Sequence, residues 1–187
     1  MLLSLLLAAG LTCGTERWAQ KTMTDPEATR IDALGQAGAN QGVIPIHTTV
    51  HALATLPAVC KPTVPRGAAP EEFHTYQVEA IITLAKLESD RDVHLVLRDP
   101  LTGDTMIGEV PDPACAAGSI VLAKLQEVRK TILTLTKGSL SRNALRRLRG
   151  LHVSVIGTGF ADFAHGQSGA APSCRELHPL IGFQVVP

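Results

Sequence analysis

Near the C-terminus, Gly159-Phe160-Ala161-Asp162-Phe163-Ala164-His165-Gly166-Gln167 runs through a loop of small residues into Glu176-Leu177-His178-Pro179. Two histidines, two carboxylates and an amide flank a stretch that contains Gly166, Gly169 and Pro172, and glycine-rich loops are where a backbone is shaped for function. Imidazole and carboxylate are the groups that hard or borderline divalent metals accept and that general acid–base catalysis uses. Glu176 and His178, two apart on a predicted strand, share a face, and Asp92 and His94 form a second such pair. Asp162, His165, Gln167, Glu176, His178, Asp92 and His94 are therefore the ligand-facing candidates. If the strands carrying the two pairs lie side by side, the pairs converge on one centre. His165 and His178 are the expected ligands if a divalent metal is bound; otherwise no cofactor is expected.

A structural role competes with this reading. A His before Pro at a strand start, or a loop Asp that accepts backbone N–H bonds, commonly only orders the chain, and neither H-E-x-x-H nor H-x-H occurs. Gly157-Thr158-Gly159 closes a strand with no helix after it and lacks the third glycine of a dinucleotide loop. Ser154 and Ser168 lie in no G-x-S-x-G elbow. Thr102-Gly103-Asp104 is a turn without the alternating oxygen ligands of a calcium loop. No residue is assigned a catalytic role.

The second chemical feature is basic. Between Lys124 and Arg149 eight basic residues face a single acid, Glu127, and the hinge residues Arg142, Arg146, Arg147 and Arg149 are candidates for holding an anionic ligand or a cell-envelope component. The whole chain is neutral, with 17 basic and 17 acidic residues, and aromatic residues make up only 3% of it. Few faces are left for stacking bases, which disfavours sequence-specific nucleic-acid recognition.

The elements that must position these groups are read from periodicity. Tyr76 to Leu84 alternates as a half-buried strand, Val93 to Arg98 alternates again after the turn Asp90-Arg91-Asp92, and Thr105 to Val110 is a third strand. Beyond Cys115 the period becomes helical from about Ile120 to Thr136, with Ser119 as N-cap and Gly138 as terminator. Leu151 to Gly159 and Glu176 to Val186 are two further strands. Three strands, a helix and two strands predict a mainly β fold with one helix, an OB-like five-stranded barrel (β-β-β-α-β-β). The alternative is an α+β sandwich. The 187 residues, 45% of them hydrophobic, suit one compact domain with extra chain: a leader over 1–19, a Pro/Gly-rich arm over 20–72, and the barrel over 73–187.

Leu2 to Gly10 is almost purely apolar and too short for a membrane span, which needs roughly 20 residues. It reads as an export signal, with cleavage expected after Ala19 and a periplasmic or extracellular destination. Cys60, Cys115 and Cys174 would then remain. They contain no C-x-x-C pair, so a cysteine zinc site is not expected; in an oxidising compartment one disulfide that includes Cys115, and one free thiol, are expected.

Asp92-Val93-His94-Leu95-Val96-Leu97, Met106-Ile107-Gly108-Glu109-Val110-Pro111, Gly159-x-x-Asp162-x-x-His165-Gly166-Gln167-x-Gly169-x-Ala171-Pro172 and Glu176-Leu177-His178-Pro179 together resemble an uncharacterised family of small exported bacterial proteins. The likeness spans roughly residues 73 to 183 and implies export without implying a reaction, cofactor or substrate. Taken together, the sequence points to a non-catalytic binding or interaction module. The alternative is a metal-dependent phosphodiesterase or nuclease in which Asp162 or Glu176 activates water and the basic patch steers an anionic substrate.

Overall fold

The computed structural model describes residues 12–31, 44–62, 65–164 and 166–187. The apolar run Leu2 to Gly10 and the candidate His165 lie outside the described residues. Six strands form one sheet: β1 (Ile46–His47), β2 (Thr75–Leu87), β3 (Val93–Arg98), β4 (Thr105–Val110), β5 (His152–Ala161) and β6 (Arg175–Val185). Their order is β1-β2-β3-β4-β6-β5, and an additional β2–β5 pairing closes β2 to β6 into a five-stranded barrel. All barrel pairs are antiparallel except β4 with β6. The long helix, Leu122–Leu135, falls between the third and fourth barrel strands. This is the OB-like order, and closure of the sheet replaces the sandwich alternative.

The thirteen-residue β2 makes closure work. Its first half, Thr75 to Ile81, pairs with β5, and its second half, Ile81 to Leu87, pairs with β3, with a register shift between Ile82 and Leu84. A bulge bends a strand and increases its twist, so one strand serves two neighbours in turn. Inward-pointing Val78, Ala80, Ile82, Val93, Leu95, Leu97, Val153 and Val155 fill the interior, and Val128 and Ile132 of the helix complete that core. The helix ends in a Schellman arrangement: Gly138 N–H donates to Leu133 O at 2.7 Å and Lys137 N–H to Thr134 O at 3.2 Å. The first left-handed residue is Lys137, with φ of 57°, and Gly138 follows at 80°.

Segments expected to be a leader and a Pro/Gly-rich arm are built into this fold where they are described. Met23, Ala28 and Ile31 pack with Val121, Leu125 and Ile181 as a second apolar cluster. Arg66 is buried and forks onto Asp25, at 2.8 and 3.1 Å, while also donating to the carbonyls of Gln20 and Glu72. Arg17 is likewise buried. It pairs with Glu72 at 2.7 Å, donates to Ala161 O and lies 4.5 Å over the Phe160 ring. A boundary after Ala19 would run through this layer, between Arg17 and Met23.

The cysteine expectation is corrected. Cys13 joins Cys115 and Cys60 joins Cys174, and no free cysteine remains among the described residues. The missing partner was Cys13, which the expected cleavage would have removed. Two disulfides suit an oxidising compartment rather than the cytosol. No helix among the described residues is long and apolar enough to cross a membrane.

Candidate functional site

Strand alternation assembles the site. Val93, Leu95 and Leu97 of β3, Met106 and Val110 of β4 and Leu177 of β6 point into the core, so Asp92 and His94, Glu109, and Glu176 and His178 share the barrel's outer face. The two predicted pairs do not lie on adjacent strands. β4 stands between β3 and β6, and it inserts Glu109 directly opposite His94 in register. On the far side Glu176 is opposite Phe160 of β5, and Asp162 follows two residues later.

This outer face is not open to solvent. Asp92 and His178 are each 1% exposed, His94 is fully buried, and Glu109, Asp162 and Glu176 are buried as well. The N-terminal layer covers one side. The loop from Asp162 to Cys174 covers the other and is held close by Gly169, where φ is +88° and an added Cβ would stand 2.4 Å from Val96 Cγ1. Only glycine permits both that backbone conformation and that approach. Cys60–Cys174 and the bond from Ser173 Oγ to Leu53 O, 2.9 Å, fix the loop's far end.

Between these covers lies a cavity of about 340 Å³ lined by Glu16, Lys21, Asp90, Asp92, Glu109, Asp162, Gln167 and His178, among others. Gln167 and Asp162 also line a neighbouring cavity of about 390 Å³ beneath the loop, where Glu176 joins them. Of the predicted candidates, Asp92, Asp162, Gln167 and His178 thus reach the first cavity and Glu176 borders the second. His94 lies behind Glu109, its Nδ1 2.7 Å from Oε1.

Burial governs protonation here. It lifts Asp92 from its ordinary range to about 7, with Lys21 and an N–H from Asp112 pulling the other way. It raises Glu109 well above the usual glutamate range, and the Asp92 charge adds to that. Glu176 rises for the same reason, with Asp162 and Glu109 as its charged neighbours. Burial lowers His94 to about 4, helped by Lys86, and lowers His178 well below its ordinary 6.5, helped by Lys21. Burial thus favours the neutral forms of both partners in the His94–Glu109 contact.

His178 Nε2 stands 3.3 Å from Asp92 Oδ2, outside hydrogen-bonding geometry, and its ring packs 5.4 Å from that of Phe160. Among the described residues, neither ring nitrogen of His178 and neither oxygen of Asp92 has an aligned partner within 3.5 Å. The cation serving this cluster is Lys21. Burial alone would lower its ammonium, but the summed fields of Asp162, Glu176, Glu109 and Asp90 outweigh burial and raise it.

Glu109 and Lys21 were not among the predicted site residues. A lone acid inside the apolar strand Met106 to Val110 was the signal available for Glu109. Lys21 carried none, because its role depends on where the N-terminal segment lies. The basic hinge is remote from the cluster. Arg142, Arg146, Arg147 and Arg149 are exposed just before β5 begins, and Asp162 follows its end. Ten residues of strand separate them, roughly 30 Å at about 3.3 Å per residue. Arg129, counted with the patch in sequence, is buried and donates to Val110 O and Arg91 O, both at 3.0 Å.

No protein-family model and no curated protein sequence matches this chain.

Proposed function

We propose that this chain is an exported, non-catalytic binding module whose ligand seat is the acid-and-imidazole cavity on the outer face of the barrel, and that its ligand is a small cation. The observation that carries the reading is the pairing of Asp92 and His178. Both are almost fully buried and line one cavity, Asp92 just before β3 and His178 on β6; among the described residues neither ring nitrogen of His178 has a hydrogen-bond partner, and Asp92 has only the pull of the Asp112 N–H. A buried acceptor without a partner costs about 1–3 kcal/mol, and apolar side chains of similar size would remove that cost. A ligand that supplies the missing donors accounts for keeping them. Glu16, Asp90 and Asp162 outnumber Lys21 around the cavity even without the carboxyls of Asp92 and Glu109 that burial holds toward their neutral forms, so its potential attracts cations and repels phosphates.

The hydrolase alternative has less support. It needs an anionic substrate steered to the acids by the basic hinge, and that hinge lies at the other end of β5. The deciding experiment titrates the oxidised protein with small organic and inorganic cations, and separately with phosphate and phosphodiester analogues, reading thermal stability and calorimetric heat. Saturable stabilisation by a cation, weakened in Asp92→Asn, is the expected result. Turnover of a phosphodiester that vanishes in Asp92→Asn would replace the binding reading with the hydrolase.

A further inference from the structure

Building on the cationic seat proposed above, we infer that the cavity recognises a primary ammonium group, the ligand class being short aliphatic amines and diamines. The chain itself supplies an example of this chemistry. Lys21, the last residue of the short helix Trp18–Lys21, lines the cavity together with Asp90, Glu109 and Asp162, and the fields of Asp162, Glu176, Glu109 and Asp90 favour its ammonium. Its Nζ also lies 5.8 Å from the centroid of Phe160, within the range of a cation–π contact. The fold therefore already sets one alkylammonium in a cavity lined by acidic side chains, beside an aromatic face.

Asp92 and His178 line the same cavity and offer the same acceptor chemistry; the field of Lys21 reaches both, but among the described residues no side-chain cation donates a hydrogen bond to either. A primary ammonium carries three N–H donors and one positive charge. A neutral imidazole and a carboxylate 3.3 Å apart can each accept one of its hydrogen bonds, and burial holds His178 in that neutral form. Those charge-assisted bonds would be strengthened by exclusion of water.

Two features set this class apart from a bare divalent ion. A metal needs several ligating atoms about 2.0–2.6 Å from one point. Among the described residues, no three His, Cys, Asp or Glu are grouped so that they could hold one. The cavity, at about 340 Å³, sits at the small end of ligand pockets, which run from roughly 300 to 1,000 Å³. It is roomy for an ion and suited to a ligand of a few heavy atoms.

The test is calorimetric titration of the oxidised full chain with putrescine, ethylammonium, tetramethylammonium, and manganese, calcium and zinc chlorides, repeated on Asp92→Asn and Lys21→Met. Trp18, the sole tryptophan, lies in the same short helix as Lys21 and gives a fluorescence readout of the same events. Putrescine and ethylammonium should bind saturably at one site. Tetramethylammonium, equally charged but without N–H donors, should bind about tenfold more weakly or worse, and Asp92→Asn should weaken amine binding by about tenfold. Lys21→Met removes the resident positive charge and should tighten amine binding.

Saturable metal binding with no response to amines would overturn the ammonium assignment while leaving the cationic seat standing. No binding of any cation would sink both. Amine binding unchanged in both variants would place the amine elsewhere and overturn the inference. If Lys21→Met does not fold, Asp92→Asn, which keeps the side chain's shape, decides alone.

Discussion

Replacing Asp92 by asparagine removes a buried ionisable group while preserving its shape, and the surroundings fix the sign of the effect across the pH scale. Burial lifts this carboxyl from 3.8 to about 7 in the folded chain, against the opposing pull of Lys21, Asp112 N–H and Arg129. Below about pH 4 the group is neutral whether the chain is folded or not, and wild type and variant should be nearly equal. As pH rises from there to about 7, the unfolded chain releases the proton while the folded chain keeps it, so wild type loses stability relative to the variant. At about 1.4 kcal/mol for each pKa step, the full loss is about 4 kcal/mol, complete just above pH 7.

His94 and His178 act in the opposite sense. Burial holds both below their ordinary 6.5, His94 at about 4, so their contribution is complete above pH 6.5 and is lost as pH falls toward 4. Wild type alone would show these trends offsetting one another. Subtracting the variant cancels the histidines and Glu176 to first order; Glu109, whose carboxyl the Asp92 charge helps to raise, is relieved in the variant and adds to the difference in the same direction. Urea unfolding of both proteins at intervals from pH 4 to pH 8, without amines or divalent cations, supplies the difference. A gap that opens with rising pH and favours the variant by roughly 2–4 kcal/mol at pH 8 is expected. A flat difference, or a variant less stable at pH 8, would refute the argument that burial dominates Asp92. The variant that gains stability here is the one expected to lose its ligand, the exchange that a binding site buried at the expense of stability should show.

Three further outcomes follow from the packing. Arg66→Met should cost about 3–5 kcal/mol in urea unfolding, because it strands buried Asp25 without its partner; a loss below about 1 kcal/mol would mean that the N-terminal layer is not part of the cooperative unit. Non-reducing peptide mapping should recover Cys13–Cys115 and Cys60–Cys174, and intact-mass analysis of exported protein should show a leader removed before Cys13, with the small residues Ala8-Ala9-Gly10 as the expected boundary; a mature chain starting at Gln20 would contradict this. Gly169→Ala should lift the loop off β3, since the new Cβ meets Val96 at 2.4 Å, and should lower stability by about 1–3 kcal/mol. An alanine variant as stable as wild type would show that the loop does not depend on this contact.

What the sequence determined by itself is what neighbouring residues encode. Alternation in Tyr76 to Leu84, Val93 to Arg98 and Thr105 to Val110, and the three-and-four spacing of Leu125, Val128 and Ile132, are local patterns, and the elements they predict occur with small changes at their ends. Their order pointed to the barrel but left a sandwich open, and the β2–β5 pairing that closes the sheet decided between them. The same alternation showed that Asp92 and His94, and Glu176 and His178, each share a face. Tertiary structure decided the rest. Strand order β3-β4-β6 brought Glu109 between the two pairs. The fold of the N-terminal segment carried Lys21 over the cluster and Cys13 to Cys115, across a separation of 102 residues. Neither placement leaves a trace in periodicity, because each depends on surfaces that meet only after the barrel has closed. That meeting also turned an outer sheet face, which alternation alone would assign to water, into a buried wall of carboxylates and imidazoles.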